Sequence, residues 1–162
     1  ATMLNGIQFP SHGGNTLFAN MYRAYETLPA ELKRAIDGRR VMQVYQYDPT
    51  ARVAAGEDLT DYDHCWQPAV IVHPATGRKA LYVNELMSTE IEGLPADESE
   101  AVLQALFANI SRPENVYEHV WQAGDLLMWD NRCTCHARTD FPTDEIRLLR
   151  RCTVAGAPMK AA

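Results

Sequence analysis

Three side chains in the last third of the sequence have types and an order suited to chemistry on small anions: His136, Arg147 and Arg151. A neutral imidazole is a good ligand for a first-row metal and a proton carrier near neutral pH. A guanidinium is permanently charged, and its planar fork matches a carboxylate. If the segment 147–154 is extended, Arg147, Leu149 and Arg151 fall on one face, with the two arginines about 13 Å apart and Arg150 pointing the opposite way. Directed into a closed sheet structure, two unpaired guanidinium groups cost several kcal/mol, so they demand anionic partners such as small carboxylates. The plain alternative is that both sit at an exposed edge or pair with Asp130 or Asp140. His136 alone is equally open, because a single histidine is more often a hydrogen-bonded structural residue than a ligand. Cys133 and Cys135 beside it invite a zinc reading. They are only two apart, with no second Cys or His pair at finger spacing, which argues against it. The other histidines, His12, His64, His73 and His119, lack an acidic residue two positions on, and Cys65 beside His64 reads as structural.

The elements that must position these groups are mostly strands. Residues 2–9 read as a strand broken by Pro10, Ser11, His12, Gly13, Gly14 and Asn15, a run that favours turns. Apolar residues at helical spacing predict a helix over 19–28, a second over 29–36 opened by Pro29, and a left-handed cap at Gly38. Residues 40–47 alternate as a strand. The polar stretch 48–66 has no sustained period and reads as a lid or mobile loop. Two short strands at 68–73 and 80–83 flank the turn sequence Pro74-Ala75-Thr76-Gly77 and form a hairpin. The stripe Val102, Leu103, Leu106, Phe107 and Ile110, with acidic residues at its start, predicts a helix over 97–110 that packs on a sheet. Strands at 117–122, 126–129 and 147–154 complete a mostly β domain with a few helices.

Composition bounds the function. The chain has 162 residues, 46% hydrophobic and 22% charged, which suits one globular domain. Its 21 acidic against 15 basic residues give a net charge of −6, which argues against nucleic acid as a partner. No apolar run reaches the roughly 18 residues of a membrane span and no signal-peptide pattern opens the chain, so the expected address is the cytoplasm. Four cysteines without a CxxC pair are expected to be reduced thiols.

Taken in order, several landmarks resemble the carboxy-terminal part of the taurine dioxygenase family of iron(II)- and 2-oxoglutarate-dependent oxygenases. They are Gly13-Gly14-Asn15-Thr16, His73-Pro74 with Gly77, Ala80-Leu81-Tyr82-Val83-Asn84, Gly124-Asp125, Trp129-Asp130-Asn131-Arg132, His136, and the Arg147 and Arg151 pair. The resemblance implies a double-stranded β-helix, or jelly roll, whose two histidines and one carboxylate hold iron on one face. By position, His136 resembles the distal iron-binding histidine, Arg151 the arginine on the far carboxylate of 2-oxoglutarate, and Thr16 the hydroxyl assisting it. Arg147 resembles the arginine that meets an anionic prime substrate, and Met87 stands where a taurine-acting relative offers an aromatic residue, which speaks against taurine itself. The family's other two ligands come from an HxD or HxE motif upstream of the segment that aligns with Ala1. The chain contains no such motif. It is therefore expected to be a single unit, 1–162, forming the larger part of a longer jelly-roll domain. The implied activity is a dioxygenase that takes Fe(II), O2 and 2-oxoglutarate, hydroxylates a small anionic substrate and releases succinate and CO2, with homo-oligomerisation implied by the resemblance. Two other readings stay open: a degenerate, non-catalytic jelly-roll module that binds a small carboxylate, and a metal-dependent isomerase or hydrolase of the same fold that does not use 2-oxoglutarate.

Overall fold

A computed structural model of the chain describes residues 1–46, 52–156 and 160–162. Two three-stranded antiparallel sheets face each other. The first has the order β11-β1-β9, from Leu148–Thr153, Thr2–Gln8 and Leu126–Trp129; the second has the order β10-β2-β8, from Thr134–Arg138, Thr16–Asn20 and Val116–His119. The register fixes which residues point inward. Trp129 lies opposite Thr2, and Arg151 opposite Leu4, so Trp129 and Arg151 share a face of the first sheet. That face looks at the second sheet, because Trp129 packs edge-on against Phe18 of β2 with ring centroids 5.1 Å apart. Leu126 and Met128 alternate to the outer face and stay exposed.

A third sheet of order β4-β3-β7, from Asp63–Pro68, Arg40–Tyr45 and Ser88–Ile91, and the hairpin β5-β6, from Val70–Val72 and Lys79–Leu81, carry the helices α1 (Met21–Glu26), α2 (Ala30–Ile36) and α3 (Ala96–Ile110). The main apolar core lies here. Ile36, Val41, Ile71, Leu81, Ile91, Leu103 and Leu106 are almost completely buried, with α3 laid on β7 and α1 on β6 as the apolar stripe predicts.

Several boundaries differ from the sequence expectation. Residues 19 and 20, expected to open a helix, instead end strand β2, and Asn20 caps α1 by accepting from the Arg23 amide at 3.1 Å. Strands β7 and β10 were not expected at all. Ser88–Ile91 pairs with β3 and Thr134–Arg138 with β2, so tertiary pairing overrides weak local propensity. The span 48–66 divides: residues 48–51 lie outside the described residues, Asp63–Pro68 is a strand paired to β3, and Val53 is buried. Arg52 is anchored by donating to the Ser88 carbonyl at 2.8 Å and to both oxygens of Glu100.

Deleting a side chain from the core should show where stability resides. Leu103→Ala should lower the unfolding free energy by about 2–5 kcal/mol in urea denaturation, whereas a loss below about 1 kcal/mol would contradict this packing.

Candidate functional site

The ring of His136 sits on β10 between aromatic neighbours. Trp129 lies 5.0 Å and Phe18 6.4 Å away by ring centroids, while the outer side of the imidazole is open to solvent. Partial loss of its water shell, followed by the nearby Arg151 charge, lowers the His136 pKa from the ordinary 6.5. The neutral, metal-competent form is thereby favoured.

The Trp129-Asp130-Asn131-Arg132 run builds the turn that delivers this histidine. The Asp130 carbonyl accepts from the Cys133 and Thr134 amides, both at 3.2 Å, and from the Thr134 hydroxyl at 2.6 Å. Its carboxylate accepts from the backbone and guanidinium of Arg132 and from His73 Nε2 at 3.0 Å. The Arg132 hydrogen bonds in the first place hold this carboxyl well below the usual carboxylate range. His73 Nδ1 accepts from the Ala75 amide at 3.3 Å, so Nε2 carries the proton it gives to Asp130. Asn131 ties the wall together, accepting from Trp129 Nε1 and donating to Thr2 Oγ1, each at 2.7 Å.

A second group lies at Arg147. Arg147 stands one position before β11, in step with the inward-facing Leu149 and Arg151, and the register irregularity opposite it lies on β1 between Gly6 and Gln8, so it does not point outward. Its guanidinium turns to β2 and the preceding turn. Nε donates to the Gly14 carbonyl at 2.7 Å and Nη2 to Thr16 Oγ1 at 3.4 Å. The Gly13-Gly14 pair makes this approach possible. Both glycines have positive φ, a Cβ on Gly13 would stand 2.1 Å from the Asp140 carbonyl oxygen, and one on Gly14 would stand 3.1 Å from Arg147 Cδ. Thr16 is buried, and its hydroxyl also accepts from Trp121 Nε1 at 2.9 Å.

The structure therefore joins Thr16 to Arg147. The expected pairing of Thr16 with Arg151 is not what the hydrogen bonds give. Arg151 is exposed and lies toward His136 on the inward face. Neither arginine pairs with Asp130 or Asp140 among the described ion pairs: Asp130 belongs to Arg132 and His73, and the Asp140 carbonyl takes the Gly14 amide. Burial, and then the neighbouring Arg138, hold the Arg147 pKa below the ordinary 12.5 while the group stays charged. The result is positive charge facing inward in a chain of net charge −6.

Met87 stands apart. It lies in the turn before β7, where its amide donates to Asn84 Oδ1 and its carbonyl accepts from Val44, and no described contact joins it to the other predicted site residues. Among the described residues, Cys133 and Cys135 do not gather with His136 at metal-ligand spacing. Among the described residues, the one cluster with metal-ligand spacing is His73, Asp130 and Cys133, whose carboxylate already serves Arg132. A facial iron site needs two donors beyond His136, and no other His, Cys or carboxylate gathers with it among the described residues. Sequence reading missed Trp121 as a contributor and gave Asn131 only as part of a landmark run. Trp121 lies just beyond β8, one turn before Gly124-Asp125, and only its side-chain partners reveal its place.

Two facing antiparallel sheets with an imidazole and an inward-turned guanidinium between them have the layout of a jelly-roll domain. Residues 1–153 match the family described as taurine catabolism dioxygenase TauD, TfdA family, and the chain belongs to it. Among curated relatives, pentalenolactone F synthase of Streptomyces avermitilis is 39% identical over 88% of this chain and 51% of its own length. The alpha-ketoglutarate-dependent 2,4-dichlorophenoxyacetate dioxygenase of a Burkholderia species is 34% identical over 96% of this chain and 53% of its own. The crystal structure of AAD-2 in complex with Mn(II) and N-oxalylglycine superposes with a TM-score of 0.86 at 30% identity, covering 99% of this chain and 65% of that one. The chain thus spans about half the length of the curated relatives it matches.

Two outcomes test the geometry. Gly13→Ala meets both a positive φ and a backbone oxygen, so it should lower the melting temperature by several degrees more than Gly38→Ala, where nothing crowds an added Cβ. Because the His136 pKa is lowered on folding, the unfolded chain binds more protons below pH 6.5. Stability should fall as pH drops through that value. The fall should be smaller in His136→Gln, and unchanged pH dependence in that variant would refute the assignment.

Proposed function

We propose that the chain serves an iron(II)- and 2-oxoglutarate-dependent dioxygenase reaction in which a small anionic organic molecule is hydroxylated and 2-oxoglutarate leaves as succinate and CO2. The observation that carries this reading is the Arg147 and Thr16 pair: a guanidinium and a buried hydroxyl turned inward together, with no carboxylate among the described ion pairs to neutralise them. A fixed fork beside a hydroxyl suits one end of a dicarboxylate that is the same in every turnover. The two arginine roles are accordingly exchanged from those the resemblance implied: Arg147 with Thr16 holds the distal carboxylate of 2-oxoglutarate, and Arg151 meets the anionic group of the substrate. Arg151 is the more exposed of the two and lies beside His136, which suits a group that must admit different molecules.

His136 contributes one neutral imidazole to iron, and the metal when bound supplies activation of oxygen. The chain's own part is to hold each anion at a fixed place and keep water from the reacting centre with the Phe18 and Trp129 rings. The relatives' names support the class: one acts on a phenoxyacetate with alpha-ketoglutarate. The neighbouring structure holds N-oxalylglycine, a dicarboxylate in which an NH replaces a methylene of 2-oxoglutarate. Free thiols at all four cysteines agree with a reducing compartment such as the cytoplasm. No helix among the described residues is long and apolar enough to cross a membrane.

Titration of the protein with 2-oxoglutarate by calorimetry tests the roles. Arg147→Met should weaken binding by about 10-fold or more, the loss of one charged hydrogen-bonding partner, whereas Arg151→Met should change it by less than about threefold. The reverse order would restore the roles implied by the resemblance. Succinate formed from 2-oxoglutarate with Fe(II), O2 and small aryloxy acids or sulfate esters separates the enzyme from a non-catalytic carboxylate-binding module.

A further inference from the structure

We infer that Trp121 is a positioning residue that commits the Thr16 hydroxyl to donating its hydrogen to the ligand carboxylate. The inference rests on the reading that Arg147 and Thr16 hold the distal carboxylate of 2-oxoglutarate. A hydroxyl normally rotates to suit its neighbours, with two lone pairs to accept and one hydrogen to give. At Thr16 both lone pairs are engaged, by Trp121 Nε1 at 2.9 Å and by Arg147 Nη2 at 3.4 Å. An indole N–H and a guanidinium are donors only, so neither can reverse the bond. The Thr16 O–H is left over, and among the described residues no acceptor takes it. The residue is only 3% exposed, so the hydrogen is aimed into the interior beside a guanidinium. A carboxylate oxygen is the partner that both groups can share.

Trp121 is held for this task from both sides. Phe9 stacks on its ring at 5.4 Å with 12° between planes, and His119 meets it edge-on at 4.7 Å and 89°. His119 is fixed in turn by Nε2 against Asp125 Oδ2 at 3.0 Å, and the Asp125 carbonyl accepts from the Gly6 amide at 2.8 Å. Gly6 leaves the space for Phe9, since a Cβ there would stand 2.4 Å from the Phe9 ring. Residues of β1, β8 and the turn after it thus converge on one indole N–H. No such set of contacts is needed to bury a tryptophan. It is needed to keep its N–H on one oxygen.

The test is a double-mutant cycle on 2-oxoglutarate affinity, read by calorimetry with the whole chain. Trp121→Phe keeps the stacked ring and removes the N–H, freeing a lone pair of Thr16 so that the hydroxyl no longer has a single orientation. It should weaken binding about fivefold, near the worth of one hydrogen bond, and should have no further effect in a Thr16→Val background. Equal losses in the two backgrounds would overturn the inference, because a merely structural tryptophan acts without Thr16. In the unaltered protein, the Trp121 indole N–H resonance, assigned by its absence in Trp121→Phe, should shift on saturation with 2-oxoglutarate; an unmoved resonance would also overturn it. The parent reading is judged separately. If Arg147→Met leaves 2-oxoglutarate affinity intact, the carboxylate site itself is wrong; if Arg147→Met loses affinity and Trp121→Phe does not, only the role of Trp121 fails.

Discussion

An arginine cannot shed its charge when a protein encloses it, so every half-buried guanidinium has to be answered by something. In this chain Arg147 is answered by a carbonyl and a hydroxyl, and by no carboxylate among the described ion pairs. Much of the surrounding structure follows from that constraint. Two glycines at positive φ let the 10–15 turn close on the arginine, and the hydroxyl it touches is buried on the adjacent sheet. Acidic residues outnumber basic ones in the sequence, yet the charge facing this interior is positive. Such an inversion is what supports the proposal of an anion site here.

The imidazole half of the site is built on a different principle, rigidity. His136 is delivered by a turn in which Asp130 accepts from six groups on residues 73, 132, 133 and 134, with Trp129 and Asn131 tied to one another and to β1. Those bonds keep the ring at a fixed place while leaving one side open. The apolar core that stabilises the domain lies elsewhere, under α3 and the β4-β3-β7 sheet. Separating the stabilising core from the reactive face lets the second be polar and open without unfolding the first.

The candidate residues were legible in the sequence by type, whereas the contacts that separate their proposed roles were not. His136, Thr16, Arg147 and Arg151 could all be named because an imidazole, a hydroxyl and two guanidinium groups have few uses in common. Strand parity put Arg147, Leu149 and Arg151 on one face, and the contact of Arg147 with the inward Thr16 and the place of Arg151 toward His136 agree with it. Helix α3 was legible for the opposite reason: its apolar stripe repeats over four turns, and no pairing partner is needed to define it. Strands β7 and β10 escaped because each is only four or five residues long and is specified by its neighbours rather than by its own composition. Trp121 was invisible as a site residue, since nothing in sequence distinguishes an indole that packs from one that aims its N–H at a particular oxygen.

The central claim, that Arg147 and Thr16 rather than Arg151 receive the distal carboxylate, is tested most directly by a crystal structure of the protein with 2-oxoglutarate bound. That carboxylate should lie within hydrogen-bonding distance of the Arg147 guanidinium and accept the Thr16 hydroxyl. A carboxylate seated on Arg151, with Arg147 still turned to Gly14 and Thr16 alone, would contradict the account.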